Sequence, residues 1–161
     1  MPDIQVDTQR IAAITLDERT VLRRSPDVEQ ERKVAIYDLL QQNHFAPAGV
    51  KAGPYRLRLG LEDGTVVLDV RNEAEEPVQR IALGLSPFRR IIKDYFVICD
   101  SYYEAIKTAT SARIEAIDMG RRGLHNEAAE LLIEKLEGRV ELDLDTARRL
   151  FTLLCVLHMR G

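Results

Sequence analysis

Apolar and polar positions alternate most sharply in the middle of the chain. Tyr55, Leu57, Leu59 and Leu61 are separated by Arg56, Arg58 and Gly60. A period of two with basic residues between the apolar ones marks a half-buried strand of an antiparallel sheet. Asp63-Gly64 follows, a pair that tolerates positive φ and so suits a tight hairpin turn. Val66, Leu68 and Val70 carry the alternation back over 65–71, and an acidic turn spans 72–77. Ile81, Leu83 and Leu85 then predict a third meander strand over 78–85. A shorter set, Ile11, Ile14 and Leu16, predicts a first strand over 10–16.

Elsewhere the period is helical. Val28, Ala35 and Leu39 form a stripe flanked by Val34, Ile36 and Leu40. Ser25-Pro26 starts that helix, because serine accepts from an orphan N–H and proline suits the first helical position. It should end near Asn43, and two Pro and two Gly make 44–54 a loop. Ser86-Pro87 repeats the start signature, and a wide apolar sector runs from Phe88 to Ile106. This helix, over 87–109, is expected to lie across the sheet as the central one. Ser111 is expected to cap a further helix toward Glu137, stopped by Gly138. Gly120 and Gly123 predict a kink or break within it, each costing ~1 kcal/mol relative to alanine. Val140, Leu142 and Leu144 suggest a short strand or extended chain. Asp145 is expected to cap a last helix, apolar nearly all round and therefore buried, to about Met159.

The predicted order is strand, helix, meander and then helices. That is an α+β fold, an antiparallel three- to four-stranded sheet with helices packed on one face. The 161 residues make one ordinary domain, 1–161, with no repeat and no linker long enough to divide it. Cys99 and Cys155 sit in apolar helical patterns, where a thiol behaves as a small hydrophobe, so a reducing compartment is expected. The first ten residues hold no apolar signal region, and the longest apolar run falls far short of the ~18 residues that span a membrane. A cytoplasmic protein without membrane attachment is the expectation. The formal net charge of −3 argues against duplex nucleic acid as the main partner.

Chemistry is densest at residues 118–127. On one helix Asp118, Arg122 and His125 stand at i, i+4 and i+7, beside Arg121 and Asn126. Acid, guanidinium and imidazole together could bind an anionic small molecule or move a proton. The plainer reading of the same residues, and the preferred one, is a solvated helix face with intrahelical ion pairs. Arginine pairs recur at 23–24, 89–90, 121–122 and 148–149. They form an anion site if they converge, and solubilising charges if they do not. The histidines and cysteines lack zinc-ligand spacing, and no phosphate loop, dinucleotide loop or nucleophile elbow occurs, so no metal or cofactor is expected. Cys99 lies among Phe96, Ile98 and Tyr102, where burial makes a thiol inert. Tyr103 with Glu104 could line a surface pocket. Arg56 and Arg58 make one sheet face basic, but Tyr55 points the other way, which weakens a single-strand RNA platform.

Several strings extend beyond any local motif: SPDVEQER at 25–32, NHFAP at 43–47, GPYRL at 53–57 and LSPFRRIIKDYF at 85–96. EAIDMGRRGLHNE at 115–127, DTARRLF at 145–151 and VLH at 156–158 continue the set. Together they resemble the bacterial uncharacterised protein family 0262 over nearly the whole chain from Ile11. The resemblance implies a bacterial cytosolic protein and brings no activity or catalytic residue with it. The expectation is therefore a binding or protein-interaction module, with a second copy of the chain as one candidate partner. A small enzyme for an anionic phosphate- or carboxylate-bearing substrate comes second, and an RNA-associated protein third.

Overall fold

The computed structural model describes residues 8–17, 26–50 and 53–158. Its elements follow as β1 (Ile11–Leu16), α1 (Pro26–Gln41), β2 (Phe45–Pro47), β3 (Tyr55–Glu62), β4 (Thr65–Arg71) and β5 (Pro77–Gly84). A 3-10 turn at Ser86–Phe88 leads into α2 (Arg89–Thr108), α3 (Ser111–Leu136), β6 (Val140–Leu142) and α4 (Leu144–His158). The α+β class expected from the pattern is the one observed.

The meander forms as its alternation requires. Leu59 lies opposite Leu68 between β3 and β4, and Leu68 lies opposite Ile81 between β4 and β5. Asp63 at φ 49° and Gly64 at φ 74° make the turn between the first two strands, the doubly positive geometry that matches strand twist. β1 joins the other edge of β3, giving the order β1-β3-β4-β5. It runs parallel to β3, with Ile14 beside Leu57 and Leu16 beside Leu59. This departs from an all-antiparallel sheet because α1 lies between the two strands and serves as the crossover that parallel neighbours need. At the start of β1 a side chain occupies its free edge. Asn43 Oδ1 accepts from the Ile11 amide at 2.7 Å, and its Nδ2 donates to the Ile11 and Leu39 carbonyls.

The central helix is α4 rather than α2. From Thr146 to Leu157 ten of its side chains are buried, and it touches α1, α3 and β3. By contrast, α2 buries one stripe, Ile91, Ile92, Tyr95, Cys99 and Ala105, while Val97 and Ile106 stay exposed. It packs mainly on α3. A helix that is apolar on every side gains most from the position enclosed by other elements, and an amphipathic one suffices outside it. The segment 44–54, expected as loop, contributes β2, which pairs antiparallel with β6 through Phe45 and Leu142. The short strand at 140–142 thus exists but joins this separate ribbon, not the meander.

Helix starts differ from the expectations in detail. Ser25 lies outside the described residues. Ser86 falls inside the 3-10 turn and makes no side-chain cap. The cap of α3 is Thr110, whose hydroxyl accepts from the Arg113 amide, and Asp143 Oδ1, not Asp145, accepts from the Thr146 amide. In both of these helices the working side chain belongs to the residue just before the first helical one. The break expected at Gly120 to Gly123 is absent, and α3 runs unbroken over both. Gly120 permits a close crossing instead, since a Cβ there would stand 2.8 Å from Ile98 Cδ1.

Candidate functional site

Three helices bring charged groups together where α1, α2 and α3 meet. On α3, Asp118 accepts from Arg121 at 2.7 Å through Oδ1 and pairs with Arg122 at 2.9 Å through Oδ2. The i,i+3 and i,i+4 spacings make this bridging local. Arg121 then reaches beyond its own helix. Its guanidinium carbon lies 4.4 Å above the centre of the Tyr102 ring, and one amine is 3.5 Å from Glu31 Oε1. The Tyr103 hydroxyl donates to the same Glu31 oxygen at 2.7 Å. Desolvation opposes the Arg121 charge, but the Asp118 hydrogen bond and the nearby anionic groups outweigh it and hold the guanidinium above its usual pKa.

His125 faces a different neighbourhood from Asp118 and Arg122. Its Nε2 lies 2.7 Å from the Arg148 carbonyl oxygen and 2.9 Å from Thr152 Oγ1, both on α4. The rings of Tyr95 and Phe151 pack on it at 5.3 and 6.0 Å. The carbonyl contact requires a proton on Nε2. Burial pushes the pKa of the imidazole down to about 4, so it is a neutral bolt between α3 and α4. Asn126 Oδ1 is also buried, with no hydrogen-bond partner among the described residues. Of the five residues singled out in sequence, Asp118, Arg121 and Arg122 form one cluster, while His125 turns to α4.

The arginine pairs engage separate partners. Arg90 lies 4.0 Å from Asp94. Arg148 meets Asp145 at 3.3 Å, and Arg149 donates to the Gln42 carbonyl. Arg23 and Arg24 lie outside the described residues. On the outer sheet face, Arg56 pairs with Glu75 and Arg80 with Glu62. Among the described residues no group of three or more His, Cys, Asp or Glu is placed to hold a metal. No helix there is long and apolar enough to cross a membrane.

Below the Glu31–Tyr103 contact opens a cleft of about 290 Å³ between α1, α2 and α4. Val28 and Glu31 line it from α1, Tyr95, Phe96, Cys99, Asp100 and Tyr103 from α2, and Thr152, Cys155 and Val156 from α4. Its walls are mostly carbon and sulfur. Thr152 is satisfied within α4 through the Arg148 carbonyl. Burial pushes the Cys99 thiol up to about 11 and raises Cys155 well above its ordinary value. Tyr103 is raised too, by burial and by its hydrogen bond to Glu31. Tyr103 does line a pocket, as expected, but with Glu31. Glu104 borders another hollow, near Arg113. Glu31 was missed, although a signal existed: it follows Val28 by three residues within the inward stripe that continues to Ala35 and Leu39. A carboxylate at an apolar position of a helical stripe marks a rim or a buried contact.

Comparison with known proteins adds relatives but no chemistry. The model of the Uncharacterised protein family (UPF0262) matches residues 8–160. A UPF0262 protein of Sphingopyxis alaskensis is 53% identical over 165 residues, covering 100% of both chains. One of Erythrobacter litoralis is 58% identical over 156 residues, covering 94% of this chain and 98% of its own. One of Paramagnetospirillum magneticum is 57% identical over 153 residues, covering 95% and 98%. No solved structure matches the chain.

Proposed function

Because the chain belongs to the uncharacterised protein family UPF0262, whose relatives' names state no activity, we propose from geometry that it is a cytosolic, non-catalytic binding module. Its binding element is the cleft between α1, α2 and α4, and the ligand is a small, largely apolar molecule. The observation that carries this reading is the cleft itself. Its volume of about 290 Å³ lies at the lower end of ligand sites, which run ~300–1,000 Å³ with apolar walls and a few polar groups.

The ionisable groups around it support binding over catalysis. A nucleophilic thiol needs a lowered pKa, and proton transfer is served best near neutral pH. Here Cys99 sits at about 11 and His125 at about 4. Both are displaced away from neutrality, in the directions that keep them uncharged.

The reading is tested by titrating the purified chain with n-octanol and following its melting temperature. A ligand at a hundredfold excess over its dissociation constant stabilises a protein by roughly 2.7 kcal/mol. Stabilisation is expected in the parent and its loss in Cys99→Phe, whose ring would occupy the cleft. Circular dichroism checks that the variant remains folded. An unchanged parent melting temperature at every concentration, or an equal response in the folded variant, refutes the assignment.

A further inference from the structure

We infer that the ligand of this cleft is an amphiphile with a primary ammonium head and an apolar tail, an inference that rests on the binding reading above. The charged side chains on the cleft wall are Glu31 and Asp100, and both are carboxylates. Among the described residues the wall contributes no cation. The guanidinium beside it, Arg121, binds Asp118 at 2.7 Å, stacks on Tyr102 and lies 3.5 Å from Glu31 Oε1.

Both carboxylates keep accepting capacity. Tyr103 and Arg121 both approach Glu31 at Oε1, which leaves Oε2 to accept from a bound donor. Asp100 is exposed and takes part in no ion pair among the described residues. The rest of the lining includes Cys99, Cys155, Val156 and Tyr95, a mostly apolar surface that suits an alkyl or aromatic tail. A carboxylate or phosphate head placed at this mouth would face Asp100 and a Glu31 charge that Arg121 only partly offsets, while losing water, an arrangement that disfavours it. An ammonium head would gain charge-assisted hydrogen bonds, which are stronger than neutral ones. A neutral alcohol would gain only the burial of its tail.

The test compares n-octylamine, n-octanol and sodium octanoate, each below its micellar concentration, on the full chain at low ionic strength and neutral pH. Dissociation constants are read by calorimetry. The amine is expected to bind at least tenfold tighter than the alcohol, with octanoate weakest. Glu31→Gln retains an acceptor for Tyr103 and removes the charge, so it should narrow the gap between amine and alcohol at least threefold. Asp100→Asn lies on an exposed position, is expected to fold normally, and should narrow the gap in the same direction. Equal binding of all three probes, or a preference for octanoate, overturns the inference and leaves the cleft as an apolar site. An amine preference that survives both substitutions overturns it as well. Failure of all three probes to bind overturns the binding reading and this inference together.

Discussion

Acid should weaken this protein through one imidazole. His125 is held neutral between Tyr95, Phe151 and α4, with Nε2 bonded to the Arg148 carbonyl. Desolvation is the largest cause of its lowered pKa; the Arg148 carbonyl opposes it, and the charges of Arg148 and Arg121 reinforce it. The ordinary value of 6.5 becomes about 4 in the folded chain. Above pH 6.5 neither folded nor unfolded chain protonates this ring, and stability is insensitive to it. Between 6.5 and 4 the unfolded chain takes up a proton that the folded chain refuses, so stability falls as the pH falls. At 1.36 kcal/mol per pH unit, the full loss is about 3 kcal/mol, or roughly 6–12 °C in melting temperature for a chain of this size. His125→Gln keeps an N–H donor within reach of the carbonyl but cannot titrate in this window. Denaturant melts of parent and variant from pH 7 to pH 4 share the carboxylate titrations, so their difference isolates the ring. The parent curve should fall by about 3 kcal/mol more than the variant's. Parallel curves over that range would refute the neutral-bolt reading.

Three other perturbations probe separate features. Gly123 has nothing within 4 Å of a built Cβ, whereas Gly120 faces Ile98 Cδ1 at 2.8 Å. Gly123→Ala should therefore stabilise by about 0.5–1 kcal/mol in thermal melts. Gly120→Ala should gain less, unless Ile98→Val first removes the obstructing methyl, and equal gains for both alanines would show that the helices do not cross closely there. Asn43→Ala should cost about 2–3 kcal/mol in urea melts, because it strands the Ile11 amide and carbonyl at a residue 0% exposed. A cost within ordinary surface scatter would mean that water replaces the amide. Tyr103→Phe removes one hydrogen bond to Glu31 while Arg121 stays beside it, so it should cost only ~1 kcal/mol, with a loss above ~3 kcal/mol showing that the phenol does more than donate.

The meander was legible because a period of two states which side of a strand is buried. Period says nothing about direction, however, so Ile11, Ile14 and Leu16 announced a strand without revealing that it runs parallel to Tyr55–Glu62. β2 was hidden because three residues that end in Pro47 carry too little pattern to outweigh the surrounding turn chemistry. The helices competed for the centre. The apolar sector of α2 suggested that it was central, but the all-round apolarity of α4 was the stronger signal, since only complete enclosure buries every side. At the site, Asp118 with Arg121 and Arg122 was readable from spacings within one helix. The meeting of Glu31, Tyr103 and Arg121 depends on how three helices rotate against one another, and sequence spacing does not encode that rotation. His125 likewise shared a face with Arg122 on paper, yet the wall that covers it belongs to α4.

The placement of α4 at the centre constrains how the protein is made. A ribosome releases the meander, finished at Gly84, long before Leu144–His158 emerges. Through that interval the leucine row of β3 lacks the cover that α4 supplies, because those side chains have not been synthesised. Domains commonly fold as units, and half-covered sheets are prone to stick to one another. Ribosome-stalled chains arrested before α4 should therefore resist compaction and engage holdase chaperones, and protease resistance should arise in one step once α4 clears the exit tunnel.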